Sequence, residues 1–192
     1  MSKRTLGPRK GTLSPLKVAL WMFLIWCMLI AQTSVAQASY ADHQIKAVFL
    51  YHFTRFINWP ETAFASASSP FNLCTTEASD LSEVLESAIA GEAVAGRPLR
   101  LIPGVDLDEI HACQLIFLPA GHNPELLLAI KNLGPTNILT VSDDDDFISQ
   151  GGIIRLEFSA GRVRPVINTT ALDKAHLKAS AKLLQLAKLV AQ

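Results

Sequence analysis

Two almost wholly apolar stretches, Cys113–Leu118 (CQLIFL) and Asn137–Val141 (NILTV), lie in the middle of the chain. A strand with one solvent-exposed face alternates apolar and polar residues, whereas a strand that is covered on both faces is a nearly unbroken apolar run. Between them, Pro124–Leu133 is typical of a helix, with Pro124 in its first turn and Asn123 as its N-cap. These stretches therefore predict buried strands of a sheet that is layered by helices.

The same alternation of strand and helix precedes these stretches. Phe71–Thr75 (FNLCT) and Pro98–Ile102 (PLRLI) are candidate strands, and Asp80–Ala90 between them has its apolar residues on one helical face. Ala63–Pro70 is small and polar, as expected of a surface loop. The order of elements favours an α/β fold in one domain.

The last third of the chain has a different pattern. Ile153–Phe158 and Arg162–Asn168 are predicted strands, joined by Ser159–Gly161 as a tight hairpin connection, and Pro165 indicates an edge or a bulge in the second. Thr169–Val190 has apolar residues along one side and predicts an amphipathic helix. The predicted fold is a single compact α/β domain: a mixed, mostly parallel sheet layered by helices, with a C-terminal β-hairpin and a long C-terminal helix.

The first 38 residues have the three parts of a secretory signal peptide. The leader contains five basic residues and no acidic residue, and Val18–Ala31 is an uncharged apolar run of 14 residues. Residues 36–38 (AQA) then fit the small-x-small rule for signal peptidase, which predicts cleavage after Ala38 and export. An uncleaved anchor is the alternative, although a bilayer span needs about 20 apolar residues.

Removal of this leader changes the charge of the protein. Without 38 of its 192 residues the chain keeps 154, which is enough for one domain with a hydrophobic core. The leader holds five of the 17 Lys and Arg and none of the 17 Asp and Glu, so 12 basic residues remain and the net charge is −5. This charge argues against nucleic acid as a partner, because phosphate neutralisation supplies most of that affinity.

The sequence has no catalytic or cofactor signature. The motifs GxGxxG, GxxxxGK[ST], GxSxG and HExxH are all missing. Each histidine also fits an ordinary position at the surface or at a helix end; the histidines are His43, His52, His111, His122 and His176. We therefore expect a protein without enzyme activity or cofactor.

Four consecutive aspartates, Asp143–Asp146, look at first like a cation site. Calcium loops place their oxygen ligands at alternating positions around a glycine, whereas consecutive residues diverge around a helical turn. The serine before the aspartates is instead typical of a helix start, where acidic groups match the helix dipole. The pattern predicts a short capped helix with Phe147 and Ile148 facing inward, ended by Gly151 and Gly152, and no metal site.

The most aromatic stretch is Ala47–Pro60 (AVFLYHFTRFINWP). With Asp42 as its cap, His43–Asn58 predicts a helix of four turns that ends before Pro60. The predicted apolar stripe comprises Ile45, Phe49, His52 or Phe53, Phe56 and Trp59. A core helix is the plain interpretation, but aromatic residues beside an arginine are also typical of a binding hot spot. We therefore expect a partner surface, with some members buried in the core, made by Phe49, Phe53, Arg55, Phe56 and Trp59.

Two cysteines, Cys74 and Cys113, remain after removal of the leader. In an exported protein such a pair can form a disulfide, because the compartment is oxidising. Two buried thiols are the alternative. Two cysteines without CxxC spacing supply only half of a tetrahedral zinc shell, which disfavours a metal site.

Several of these stretches, taken together and in order, resemble the YfiR family of exported bacterial proteins. The resemblance covers about residues 41–190 and is carried by KAVFLYHFTRFINWP, FNLC, GRPLR, CQLIFL, ILTVSD, FISQGGIIRLEF, RVRPVIN and LKASAKLLQLAKLV. It implies a compact periplasmic α/β domain that tends to dimerise and acts by binding. It also implies a disulfide between cysteines placed like Cys74 and Cys113, whereas FISQGGIIRLEF lacks the second cysteine pair of some members.

The function that this resemblance implies is repression. Repressors of the family bind the periplasmic sensor region of an inner-membrane diguanylate cyclase and hold it inactive, which limits cyclic di-GMP, exopolysaccharide and biofilm. An outer-membrane, peptidoglycan-associated lipoprotein can sequester the repressor. For this chain we expect such a cyclase as the partner. A periplasmic small-molecule sensor domain is the alternative, because an α/β sheet can hold a ligand at its strand ends.

Overall fold

The computed structural model describes Met22 and residues 41–121, 124–134, 136–159 and 162–191. The predicted signal peptide apart from Met22, the predicted N-cap Asn123, and Ala160 and Gly161 of the predicted hairpin connection lie outside the described residues. From Asp42 onward the chain forms one compact unit.

The described secondary structure consists mainly of short strands and helices. The strands are β1 (Ile57–Asn58), β2 (Phe71–Thr75), β3 (Ala93–Val94), β4 (Arg97–Ile102), β5 (Leu115–Leu118), β6 (Leu139–Ser142), β7 (Ile154–Ser159), β8 (Arg162–Asn168), β9 (Lys178–Ala179) and β10 (Lys188–Val190). The helices are α1 (41–56), α2 (Asp80–Ile89), α3 (Pro124–Asn132), α4 (Thr169–Lys174) and α5 (Ala181–Leu186). Two single 3₁₀ turns lie at Glu61–Ala63 and Ile110–Ala112.

Eight of the described strands form one sheet in the order β10-β8-β7-β6-β5-β2-β4-β3. The five central strands, from β7 to β4, run parallel to one another. β8 pairs antiparallel with β7 over six residue pairs, and β3 pairs antiparallel with β4. The predicted α/β class, the mixed and mostly parallel sheet, and the C-terminal hairpin strands are therefore confirmed.

The two faces of the sheet bury separate apolar clusters. In β5, Leu115 and Phe117 point towards the side that α1, α2, α4 and α5 cover. Ile116 and Leu118 point to the opposite side, where they pack with α3. This alternation across one strand explains why CQLIFL is apolar almost throughout, since helices cover both faces.

The predicted long helix over Thr169–Val190 is wrong. The segment folds instead as α4, β9, α5 and β10, and His176 between α4 and β9 has a left-handed φ of 55°. The reversal at His176 allows β9 to pair with β1, and β10 to pair with β8 from Val166 onward. The pairing of β9 and β10 with other strands therefore outweighs the helical periodicity of the local sequence. Pro165 lies just before this pairing, where β8 has an open edge, as a proline requires.

The predicted short helix at the aspartates is also wrong, because residues 145–151 form successive turns. Asp143 accepts a hydrogen bond from the Ala120 amide at 2.7 Å and pairs with Lys46 at 2.6 Å. These acidic groups therefore connect the loops beyond β5 and β6 with α1. Phe147 and Ile148 are buried, as predicted.

A disulfide joins Cys74 of β2 to Cys113, which lies two residues before β5. The two Cα atoms are 5.9 Å apart, and both residues are buried in the cluster on the α3 side of the sheet. The pairing that the family resemblance implies is confirmed. Because β2 and β5 are neighbours in the sheet, the bond ties two central strands together.

Reduction of this bond is expected to lower the free energy of unfolding by about 2–4 kcal/mol, because the 39-residue separation restricts the unfolded chain when the bond is closed. Urea unfolding with and without dithiothreitol measures the difference. A Cys74→Ala/Cys113→Ala variant serves as the control and should not respond to the reductant. Equal stability of the wild-type protein under both conditions would contradict the expectation.

Candidate protein-binding surface

Helix α1 rests on the sheet through one narrow face. The buried residues of this face are Ala47, Leu50, Phe53 and Thr54, followed by Ile57 of β1. The predicted stripe is wrong at Ile45, which is exposed, and of the two residues offered for its third position Phe53 is buried whereas His52 is exposed. A helix that is apolar on more than one side offers several overlapping stripes. Packing on the sheet selects the one that includes the small Ala47 and Thr54.

The stripe of α1 that faces away from the sheet remains largely apolar. Val48 is 50% exposed and Ile45 is 38% exposed, while Phe49 and Phe56 are half-buried. These residues and His52 recur at helical spacing along one side. The His52 and Phe56 rings lie 5.9 Å apart, and the Phe49 ring lies 6.0 Å from that of Phe53 beneath it.

Helix α5 extends this stripe beyond the end of α1. The Lys182 ammonium lies 5.6 Å from the centroid of the Phe56 ring, a cation–π contact. Leu186 follows one turn later on the same side of α5 and is 64% exposed. The α1–α5 surface comprises Ile45, Val48, Phe49, His52, Phe56, Lys182 and Leu186. Large apolar side chains that stay exposed on one side of a domain, here Ile45, Val48 and Leu186, are typical of a protein-binding site.

Arg55 stands at one border of the α1–α5 surface and is held in place by hydrogen bonds. It donates to the Tyr51 hydroxyl oxygen at 2.6 Å, and that hydroxyl donates to Glu92 at 2.6 Å. Arg55 itself is exposed. A long side chain that is already oriented loses less rotamer entropy on binding, so Arg55 suits a contact with an acidic group.

Trp59 is anchored inside the domain. Its indole N–H donates to the Gln114 carbonyl oxygen at 3.1 Å, and its ring meets Phe71 edge-on with the centroids 4.8 Å apart. It borders a cleft of about 350 Å³ that Arg55 and Arg97 also line. The buried Arg97 stacks on the Phe64 ring and donates to two loop carbonyls, so this cleft is built from groups that serve the fold.

The five predicted contact residues therefore occupy three kinds of position. Phe53 is 1% exposed and belongs to the core, as expected for some of the set. Phe49 and Phe56 lie on the α1–α5 surface, and Arg55 lies at its border. Trp59 lies at the rim of the cleft. Their contact with a partner stays a prediction.

Sequence reasoning missed Val48 and Leu186, which are the most exposed apolar residues of the α1–α5 surface. Leu186 lies in the segment predicted as one long amphipathic helix, which does not form. Val48 is absent from the predicted contact residues, because helical periodicity does not tell which of two apolar sides faces the sheet.

No helix among the described residues is both long and apolar enough to cross a membrane. No group of three or more His, Cys, Asp or Glu side chains in this part of the chain is arranged to hold a metal ion.

The fold and the surface define a small disulfide-bonded α/β domain with an exposed aromatic and aliphatic helix face. Comparison with protein-family models matches the YfiR/HmsC-like family over residues 43–188. Because this match covers most of the chain, the protein belongs to the YfiR/HmsC-like family.

Among solved structures, this chain is similar to a conserved domain protein from Vibrio cholerae O1 biovar El Tor, which is 12% identical, with a TM-score of 0.44 over 62% of this chain and 54% of that one. This chain thus spans about half the length of that relative. A comparison with curated proteins found no match.

Substitution of the anchored Trp59 should lower the stability of the fold more than substitution of the exposed Arg55. Trp59→Ala is expected to lower the free energy of unfolding by about 2–3 kcal/mol, because it removes ring packing and a hydrogen bond. Arg55→Ala should change it by less than about 1 kcal/mol, because the side chain is exposed. Urea unfolding of both variants measures the difference. Equal losses would mean that the Arg55–Tyr51–Glu92 chain supports the fold.

Proposed function

We propose that this protein is a periplasmic repressor that binds the periplasmic sensor region of an inner-membrane diguanylate cyclase and holds that enzyme inactive. Repression would limit cyclic di-GMP synthesis and, through it, exopolysaccharide and biofilm formation. Membership of the YfiR/HmsC-like family supports a periplasmic regulator rather than an enzyme. The observation that carries the proposal is the α1–α5 surface, on which Ile45, Val48 and Leu186 stay exposed beside the half-buried Phe49 and Phe56.

The location of the proposed repressor follows from two features. The leader over residues 1–38, with cleavage after Ala38, would direct the chain to the periplasm. The Cys74–Cys113 disulfide is consistent with an oxidising compartment. We therefore place the domain of residues 39–192 in the periplasm.

Repression requires that the protein bind the inactive form of the cyclase more tightly than the active form. A shift from 1:99 to 99:1 takes about 5.5 kcal/mol of differential binding free energy. A few well-packed aromatic and aliphatic side chains can supply this amount at the centre of an interface. Phe49 and Phe56, backed by the buried Phe53, meet that description, with Val48 and Leu186 beside them.

The charged residues at the border predict the character of the partner. Arg55 lies at the border of the α1–α5 surface and Lys182 belongs to it, although the chain after the leader has a net charge of −5. A partner with acidic groups around an apolar centre would complement this border and associate faster at low salt. A lipoprotein that sequesters the repressor would act by covering the same surface. The homodimer that the family resemblance implies stays a prediction.

The full chain with a C-terminal tag, expressed with its own leader, should recover a diguanylate cyclase from detergent-solubilised inner membranes. Val48→Asp is expected to reduce that recovery by about tenfold or more, because it puts a carboxylate in the apolar centre of the interface. Mass spectrometry of the bound proteins measures the recovery.

The matched control is Leu128→Asp. Leu128 is 54% exposed, close to the value for Val48, but it lies on α3 at the opposite face of the sheet. This variant should recover the cyclase as the wild type does. Failure of the wild-type protein to recover any cyclase, or equal losses in the two variants, would contradict the proposed function.

A further inference from the structure

A second recognition feature lies away from the α1–α5 surface. A cavity of about 320 Å³ opens between the end of α3, the turn before β7, and α4. Its deep wall is apolar and consists of Leu127, Ile130, Ile138 and Ile153, which are all buried. This volume is at the lower end of the range that small-molecule sites occupy.

Two lysines, Lys131 and Lys174, stand among the lining residues, and no carboxylate occurs among the described residues of the lining. This local excess of positive charge contrasts with the net charge of −5 of the chain after the leader. Both lysines are exposed, so their attraction for an anion is moderate and becomes stronger at low salt.

Lys131 is held at the cavity by the turn beside it. Its ammonium donates to the Gln150 carbonyl oxygen at 2.9 Å. Gly151 has a φ of +91°, and a Cβ at this position would lie 2.8 Å from the ammonium nitrogen. The glycine therefore provides the space that the lysine head occupies. An ammonium has three donors, so this one retains donors for a ligand.

The buried polar atoms in the wall are already engaged. The Thr140 hydroxyl oxygen accepts from the Ile153 amide at 3.1 Å, and the Asn168 side-chain oxygen accepts from the Ala171 amide at 3.2 Å. These oxygens therefore contribute little to recognition. Selectivity is left to the apolar wall and the two ammonium groups.

We infer that this cavity binds a small amphipathic organic anion, of the class of a medium-chain carboxylate. The apolar body lies against Leu127, Ile130, Ile138 and Ile153, and the carboxylate accepts charge-assisted hydrogen bonds from Lys131 and Lys174. The site does not depend on the proposed repression, because none of its lining residues belongs to the α1–α5 surface.

The probe for this site is octanoate, with 1-octanol as the neutral compound of equal chain length. Octanoate is expected to raise the melting temperature of the protein, whereas 1-octanol at the same concentration should have a much smaller effect. Amide shifts in a ¹⁵N-labelled sample should concentrate at residues of the lining such as Thr136, Gly151 and Ala175.

Three variants test the assignment. Lys174→Gln should weaken octanoate binding by about tenfold, through loss of one charge-assisted hydrogen bond. Ala175→Leu should abolish binding, because the added side chain fills the cavity. Lys188→Gln removes a charge from an exposed lysine outside the lining and should leave the affinity unchanged.

Several outcomes would overturn the inference. They are the absence of octanoate binding, equal binding of 1-octanol, amide shifts away from the cavity, and equal losses in Lys174→Gln and Lys188→Gln. If the Ala175→Leu variant does not fold, the affinity of Lys174→Gln for octanoate and the amide shifts still test the inference. None of these results bears on the recovery of a cyclase, so the inference and the proposed repression fail or stand separately.

Discussion

The apolar side chains of Ala47, Leu50, Phe53 and Ile57 pack onto the β-sheet, and this contact determines what the domain presents to a partner. Full burial of a leucine or phenylalanine contributes about 1.5–3 kcal/mol, so the orientation of α1 about its own axis is strongly fixed. A rotation of α1 by one residue position would bury Val48 and expose Leu50. The outward position of Val48, and the half-buried position of Phe49 and Phe56 beside it, thus follow from the inward position of their neighbours.

The rest of the fold supports that contact from both sides of the sheet. Leu115 and Phe117 of β5 face α1, while Ile116 and Leu118 face α3. The disulfide is buried on the α3 side of the sheet. The tightly paired strands hold α1 and α5 on the same face, so that Phe56 and Lys182 meet. The proposed interface is therefore a rigid surface, and a rigid surface loses little conformational entropy on binding.

Some of these features could be predicted from the sequence and others could not. CQLIFL and NILTV predicted buried strands correctly, because a nearly unbroken apolar run is typical of a strand that is covered on both faces. No long helix forms over residues 169–190, because β9 and β10 of this segment pair with β1 and β8. A local sequence pattern does not show contacts between such distant segments. The cavity lysines, Lys131 and Lys174, are 43 positions apart in the sequence, so no sequence motif predicts that they line the same cavity. Exposure of Val48 likewise depended on which apolar side of α1 the sheet selects.

The central claim is that the α1–α5 surface restrains a diguanylate cyclase, and the cellular concentration of cyclic di-GMP tests it most directly. Mass spectrometry would measure this concentration in a strain that lacks the gene and in the same strain complemented with wild type, Val48→Asp or Leu128→Asp. The account predicts that loss of the gene raises cyclic di-GMP, that the wild type and Leu128→Asp restore the low level, and that Val48→Asp does not. An unchanged level after loss of the gene, or full restoration by an exported and folded Val48→Asp protein, would contradict it.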